Sequence, residues 1–217
     1  MKKLMIAIMA ITLGSYSSAS AELGINLGVS GQMGVFVADG SETEAGTVAR
    51  SNTTTLVGYS SLFLEKTLGS RLSIGVDYVP SSLETETTED NRTDQTTNTT
   101  DTAVTNSVKA DFEDLTTIYA TLNITENFYI KGGMVSVDVI TKESLGTGSD
   151  YGNAQLDGEM YGAGYDFKFD NGLFLRAEGN VMMMDGTTLT STTNSANVVK
   201  LDHLNGASGK VSIGKSF

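Results

Sequence analysis

The chain contains one histidine, His203, and no cysteine. Thiolate metal sites, a cysteine nucleophile and a disulfide framework are therefore excluded. Two residues after His203 stands Asn205, so a histidine paired with a nearby serine nucleophile is missing at that spacing. A lone histidine beside a polar stretch reads as surface. The run Gly28-Val29-Ser30-Gly31-Gln32-Met33-Gly34 has the glycines of a phosphate loop but not its Gly-Lys-Ser/Thr ending, and no helix pattern follows. Met182-Met183-Met184 offers thioethers that suit copper, yet it ends an alternating apolar run, where packing is the expected use. No catalytic, cofactor-binding or metal residue is expected from these motifs.

Charges placed singly inside apolar alternation are more informative. Arg71, Asp77, Asp138, Asp166, Lys168, Arg176 and Glu178 each share a face with small or polar residues, opposite a face of large apolar ones. Four acids and three bases on one inward face can pair and leave one negative charge, which a bound cation or a protonated acid would settle. The expectation is a salt-bridged plug, with a narrow polar or ion path as the alternative.

The elements carrying these charges have a period of two. Leu23, Ile25, Leu27, Val29, Gly31, Met33, Val35 and Val37 fall on one face, which is strand spacing. The alternation recurs over 71–78, 117–124, 134–139, 161–169, 173–183 and 211–217. Residues 55–66 are apolar on both faces, so their register stays open. These make eight strands. Leu27, Val29, Ile74, Val76, Leu122, Val137, Tyr165, Leu175 and Ile213 are expected on the outward face. Composition agrees: 24 Gly, 28 Thr and one Pro in 217 residues favour strands and tight turns. Connections alternate in length. Short turns at 68–70, 125–127 and 170–172 separate long polar stretches at 39–54, 81–114, 142–155 and 185–205. The fold class expected is all-β, an eight-stranded antiparallel up-and-down transmembrane β-barrel with both termini at the short-turn end. Such a barrel has an interior just wide enough for side chains to fill it. After residue 21 no apolar run nears the length of a membrane-spanning helix.

Residues 1–21 read as a Sec signal peptide: Lys2-Lys3, an apolar run from Leu4 to Leu13, then Ala19-Ser20-Ala21. The barrel domain is 22–217. The formal charge is −12, and −14 without Lys2 and Lys3, which disfavours nucleic-acid partners. Residues 85–105 contain ten Thr. They read either as a solvated tip or as a β-hairpin rising above the membrane. The acidic long stretches would hold divalent cations weakly at most; solvated charge is the plainer reading.

The chain stops on an alternating strand, Lys210-Val211-Ser212-Ile213-Gly214-Lys215-Ser216-Phe217. Val211, Ile213, Gly214 and the terminal Phe217 resemble the assembly signal read by the outer-membrane barrel insertase; Lys215 stands where that pattern prefers an apolar residue. With the leader and the loop rhythm, the chain resembles the small outer-membrane β-barrel superfamily of the OmpX, OmpW and OmpA-transmembrane-domain type. The resemblance implies an integral protein of a Gram-negative outer membrane, in contact with lipid and lipopolysaccharide. It implies an insertase partner, no enzymatic activity, no cofactor and a monomer. Lipid A-modifying barrels use a histidine with a serine, which His203-x-Asn205 does not supply. A structural or surface-interaction role is expected first. A porin-like channel or a lateral route for small solutes, as in the OmpW type, is the alternative.

Overall fold

The computed structural model describes residues 24–44, 46–84, 88–97, 100–145 and 150–217. The expected signal peptide lies outside them. Ten strands occur among the described residues: β1 (Ile25–Glu44), β2 (Thr47–Leu68), β3 (Leu72–Tyr78), β4 (Leu83–Glu84), β5 (Thr88–Thr97), β6 (Thr100–Asn123), β7 (Phe128–Leu145), β8 (Ala154–Lys168), β9 (Leu173–Thr190) and β10 (Val198–Ser216). Leaving out β4 and β5, each strand pairs antiparallel with the next along the chain. β3 pairs with β6 and β1 with β10, which closes a ring of eight. The termini meet at the short-turn end, where Phe217 N–H donates to the Ile25 carbonyl at 2.8 Å. Gly69 and Gly172 take φ of +70° and +80° in two of the short turns, a conformation that side chains other than glycine resist.

The long polar stretches differ from the expectation. Much of 39–54 and 185–205 is strand, because β1–β2 and β9–β10 run on as tall ladders. The Thr-rich stretch forms β4, β5 and the upper part of β6, which is the hairpin reading. β-branched Thr fits a pleated surface, and pairing satisfies its backbone. Backbone pairing of this kind needs no apolar alternation, so periodicity could not reveal it.

Side chains alternate as expected on most of the ring. Leu27, Val29, Ile74, Leu122, Tyr165, Leu175 and Ile213 are exposed on the outer wall. Val76 shares that parity but is buried. In 55–66 the open register resolves with Tyr59, Ser61, Phe63 and Glu65 buried. β7 corrects the expectation by one residue. Met134 is 75% exposed while Val135 and Val137 are buried in the interior cluster, so Asp138 faces outward instead of into the barrel. Valine marks the outward face only where the interior is polar; on this strand the interior is apolar. β6 adds a bulge, with Asp114 and Leu115 standing between the Glu113↔Asp138 and Thr116↔Ser136 pairs. Asp114 takes φ +54° there. The extra residue reverses the faces of β6, so that Phe112 packs on the interior cluster.

Candidate functional site

The short-turn half of the lumen is filled by paired charge. Arg176, from β9, is its centre. Its Nε donates to Asp166 Oδ1 at 2.7 Å and its Nη2 to Asp166 Oδ2 at 3.1 Å. The opposite edge reaches Glu65, Nη1 to Oε1 at 2.6 Å and Nη2 to Oε2 at 3.1 Å. Both carboxylates are thus gripped by the guanidinium fork. Tyr119 Oη donates to Glu65 at 2.9 Å. The rings of Phe63, Tyr129 and Phe174 lie 5.4, 5.0 and 5.2 Å from the guanidinium carbon. Gly75 and Gly164 leave the space that Tyr119 and Tyr129 occupy; a Cβ at either would collide with the ring.

A second group lies beside the first. Lys131 Nζ is 3.1 Å from Glu178 Oε1, and Lys210 joins Asp77 to Glu178 Oε2, the latter at 3.7 Å. Two acids and two bases balance here. Glu65, Arg176 and Asp166 carry one negative charge over, so the excess of the lumen is localised at the Arg176 group. All seven side chains are buried or nearly so.

Farther from the short turns the lumen turns apolar. Tyr59, Val79, Leu115, Val135, Val137, Leu156, Met160, Met182 and Met184 pack as one cluster. Between the two layers only about 10 Å³ remains, lined by Gln32, Tyr59, Asp77, Lys131, Asn180 and Lys210 among others. That is room for about one water. The three methionines are unbranched and polarizable, the side chains best able to repack around a guest.

The wall beside this apolar half has a seam. β8 and β9 pair from the short turn up to Gly158↔Met184 and no further. Beyond it β8 stays with β7, and β9 stays with β10. The seam is bounded above by a loop contact: Thr192 N–H donates to the Asp150 carbonyl at 2.8 Å, Thr192 Oγ1 to the same oxygen at 3.3 Å, and Asp150 N–H to Thr193 Oγ1 at 3.5 Å. Outside its foot lies a groove of about 1030 Å³. Ile118, Met134 and Met183 line it together with Tyr78 and the carboxylates of Asp114, Asp138, Asp157, Glu159 and Asp185.

Charge divides the molecule sharply. Among the described residues the long-hairpin end has eighteen acids and five bases, Arg50, Arg92, Lys109, Lys142 and Lys200, whereas the short-turn half is nearly balanced. Asp111, fully buried between Lys142 and Lys109, is held below the usual carboxylate range by its hydrogen bond to Lys142.

The structure brings four of the seven expected lumen charges together: Asp77, Asp166, Arg176 and Glu178. Arg71 is exposed beside a short turn, and Lys168 donates to the Glu126 carbonyl at 2.7 Å at the same rim. Arg71 precedes β3 and Lys168 is the last residue of β8, so both sit at the mouth of the barrel in water instead of within its packed layers. Asp138 faces outward. Glu65, Lys131 and Lys210 were missed. Glu65 lies in the segment of open register, and Lys131 and Lys210 are not among the charges the alternation selected as inward. Their alternation with Ile130 and Val211 was the available signal. In the last strand Val211, Ile213 and Phe217 are exposed on the outer wall, with Gly214 under Phe174. His203 Nε2 lies 2.7 Å from Asp39 on the outer face.

Neither a protein-family model nor a curated protein matches the chain by sequence. Solved structures do match by shape. AlkL, determined in lipid bilayers, aligns over 93% of this chain and 94% of its own at 13% identity, with a TM-score of 0.53. OprG from Pseudomonas aeruginosa aligns over 91% and 98% at 11% identity, TM-score 0.50. The outer membrane protease OmpT from Escherichia coli aligns over 94% and 100% at 9% identity, TM-score 0.50. The fold is that of the outer-membrane β-barrels. At these identities the likeness covers the fold and not the activity, as a protease among the three makes plain. The features of this barrel that bear on function are its two-layered lumen and the seam beside the apolar layer.

Proposed function

We propose that this barrel is a non-enzymatic outer-membrane protein that takes small apolar solutes into the hairpin half of its lumen and passes them sideways into the membrane. The short-turn end faces the periplasm and the acidic hairpins face outward, the usual arrangement of short turns and longer loops. Residues 1–21 serve export, and the strand ending at Phe217 serves insertion. The observation that carries the reading is the β8–β9 seam, which opens the wall where the lumen is apolar and the outer groove has an apolar floor. The charged layer argues against axial passage, so a water-filled pore is not the reading favoured. A purely structural or surface role is the second reading, supported by the tightness of the packed interior.

The test is a cross-link. Asp157 and Asp185 are the next opposing positions beyond Gly158↔Met184, so the Asp157→Cys/Asp185→Cys pair can lock the seam when oxidised. Uptake of n-octane or naphthalene by cells bearing the barrel should fall to the level of cells without it, and recover on reduction. Ionic conductance in a planar bilayer should stay small throughout. Uptake indifferent to the cross-link would refute the lateral route and leave the structural role.

A further inference from the structure

The tall β2 strand has a free edge. Beyond its last pair with β3, Leu62↔Tyr78, it continues for fifteen residues, Thr47 to Ser61, bonded to β1 alone among the described residues. The position beside β6 that β3 holds lower down passes to β4 and β5, which pair with β6 and not with β2. Residues 47–56 are all exposed.

Proteins blunt such edges with proline, lysine, bulges or inward-pointing charge. Among the described residues this edge has no proline, lysine, bulge or inward-pointing charge; its one charged side chain, Arg50, falls on the outward face. Its ladder with β1 is unbroken from Thr47 to Lys66, and its inward set above the rim is Ala49, Ser51, Thr53 and Thr55. In an antiparallel strand every second residue turns its N–H and C=O to the far side, so about seven residues offer an unfilled ladder.

A symmetric contact between two β2 edges in one membrane cannot fill it. They share an orientation, so a two-fold axis along the membrane normal would bring two β2 edges together running parallel. Identical edges pair across a two-fold only when antiparallel, which would require one barrel to be upside down. A separate extended chain meets no such bar, and it is the occupant taken here. Its charge follows from the eighteen acids and five bases of the surrounding end, a field that concentrates cations and repels anions. We propose that the free edge of β2 is a docking site for an extended cationic peptide, which adds as a further antiparallel strand. The proposal is independent of the solute route: the edge lies across the barrel from the β8–β9 seam.

The experiment uses the whole barrel in lipid nanodiscs and three fluorescent ten-residue peptides: alternating Lys-Val, alternating Glu-Val, and Lys-Val with alternate amides N-methylated. Anisotropy should show the first binding, the second not, and the third weakened roughly tenfold or more, because methylation removes the ladder donors and keeps the charge. Amide exchange in 47–61 should slow when the Lys-Val peptide is bound. Thr53→Pro and Thr54→Pro locate the contact. One of these adjacent residues turns its N–H to β1 and the other to the free edge, so one variant keeps the heat-modifiable folded form and should still lose the peptide. Equal binding of the N-methylated peptide would mean ionic adsorption and overturn the proposal, as would unchanged binding to the folded proline variant. Absence of Lys-Val binding would overturn it outright.

Discussion

Arg176 shows how a buried charge can be both costly and indispensable. It offsets two carboxylates and is flanked by three aromatic rings, so its loss leaves Glu65 and Asp166 facing each other without a cation. Arg176→Ala should cost about 3–5 kcal/mol, the price of breaking a buried ion pair from one side. Urea unfolding of the refolded barrel in lipid vesicles measures it. Asp166→Asn should cost far less than that or nothing, because it removes the excess negative charge and keeps an acceptor; an equal loss would mean the charge count is wrong. These contacts were only half legible in the sequence. Asp77, Asp166, Arg176 and Glu178 were marked by clean alternation with apolar neighbours. Glu65 was hidden by apolar residues on both faces of β2, and no single-strand pattern says which carboxylate a guanidinium from another strand will reach.

At the scale of the element, alternation identified the ring but misread β7. Patterning tells inside from outside by contrast, and the contrast inverts where the lumen becomes apolar. Val135 and Val137 therefore mark the interior, while Leu175 on β9 marks the lipid. Ala177→Arg, on the same outward face and farther from the short turn, should destabilise the folded barrel by about 2–4 kcal/mol, whereas Ser136→Arg on β7 should be milder, since it lies in the acidic outer groove. Unfolding titrations of the two variants compare them directly; equal tolerance would place the lipid belt elsewhere. The upper ladders were illegible for a different reason. Their backbone pairing is sequence-tolerant, so Thr, Ser and Asn serve either face.

For the molecule as a whole, charge and geometry divide at the same place: a balanced, plugged half and an acidic half with a seam and free edges. In the proposed orientation the acidic half faces out of the cell. Trypsin applied to intact cells should cut at positions such as Arg50 and Arg92 and spare Arg71 and Lys168 at the short-turn rim, while lysed cells lose that protection; cleavage at the rim in intact cells would reverse the assignment. On the proposed lateral route the loop contact over the seam would set a population. Two of its three hydrogen bonds, at 3.3 and 3.5 Å, are exposed, and two share the Asp150 carbonyl, so together they contribute on the order of 1 kcal/mol. A closure of about 1 kcal/mol leaves roughly 15% of molecules open at any moment. A solute that enters only the open state would then bind about sixfold more weakly than its contacts alone dictate, and anything that held those loops apart would sharpen its apparent affinity without touching the solute.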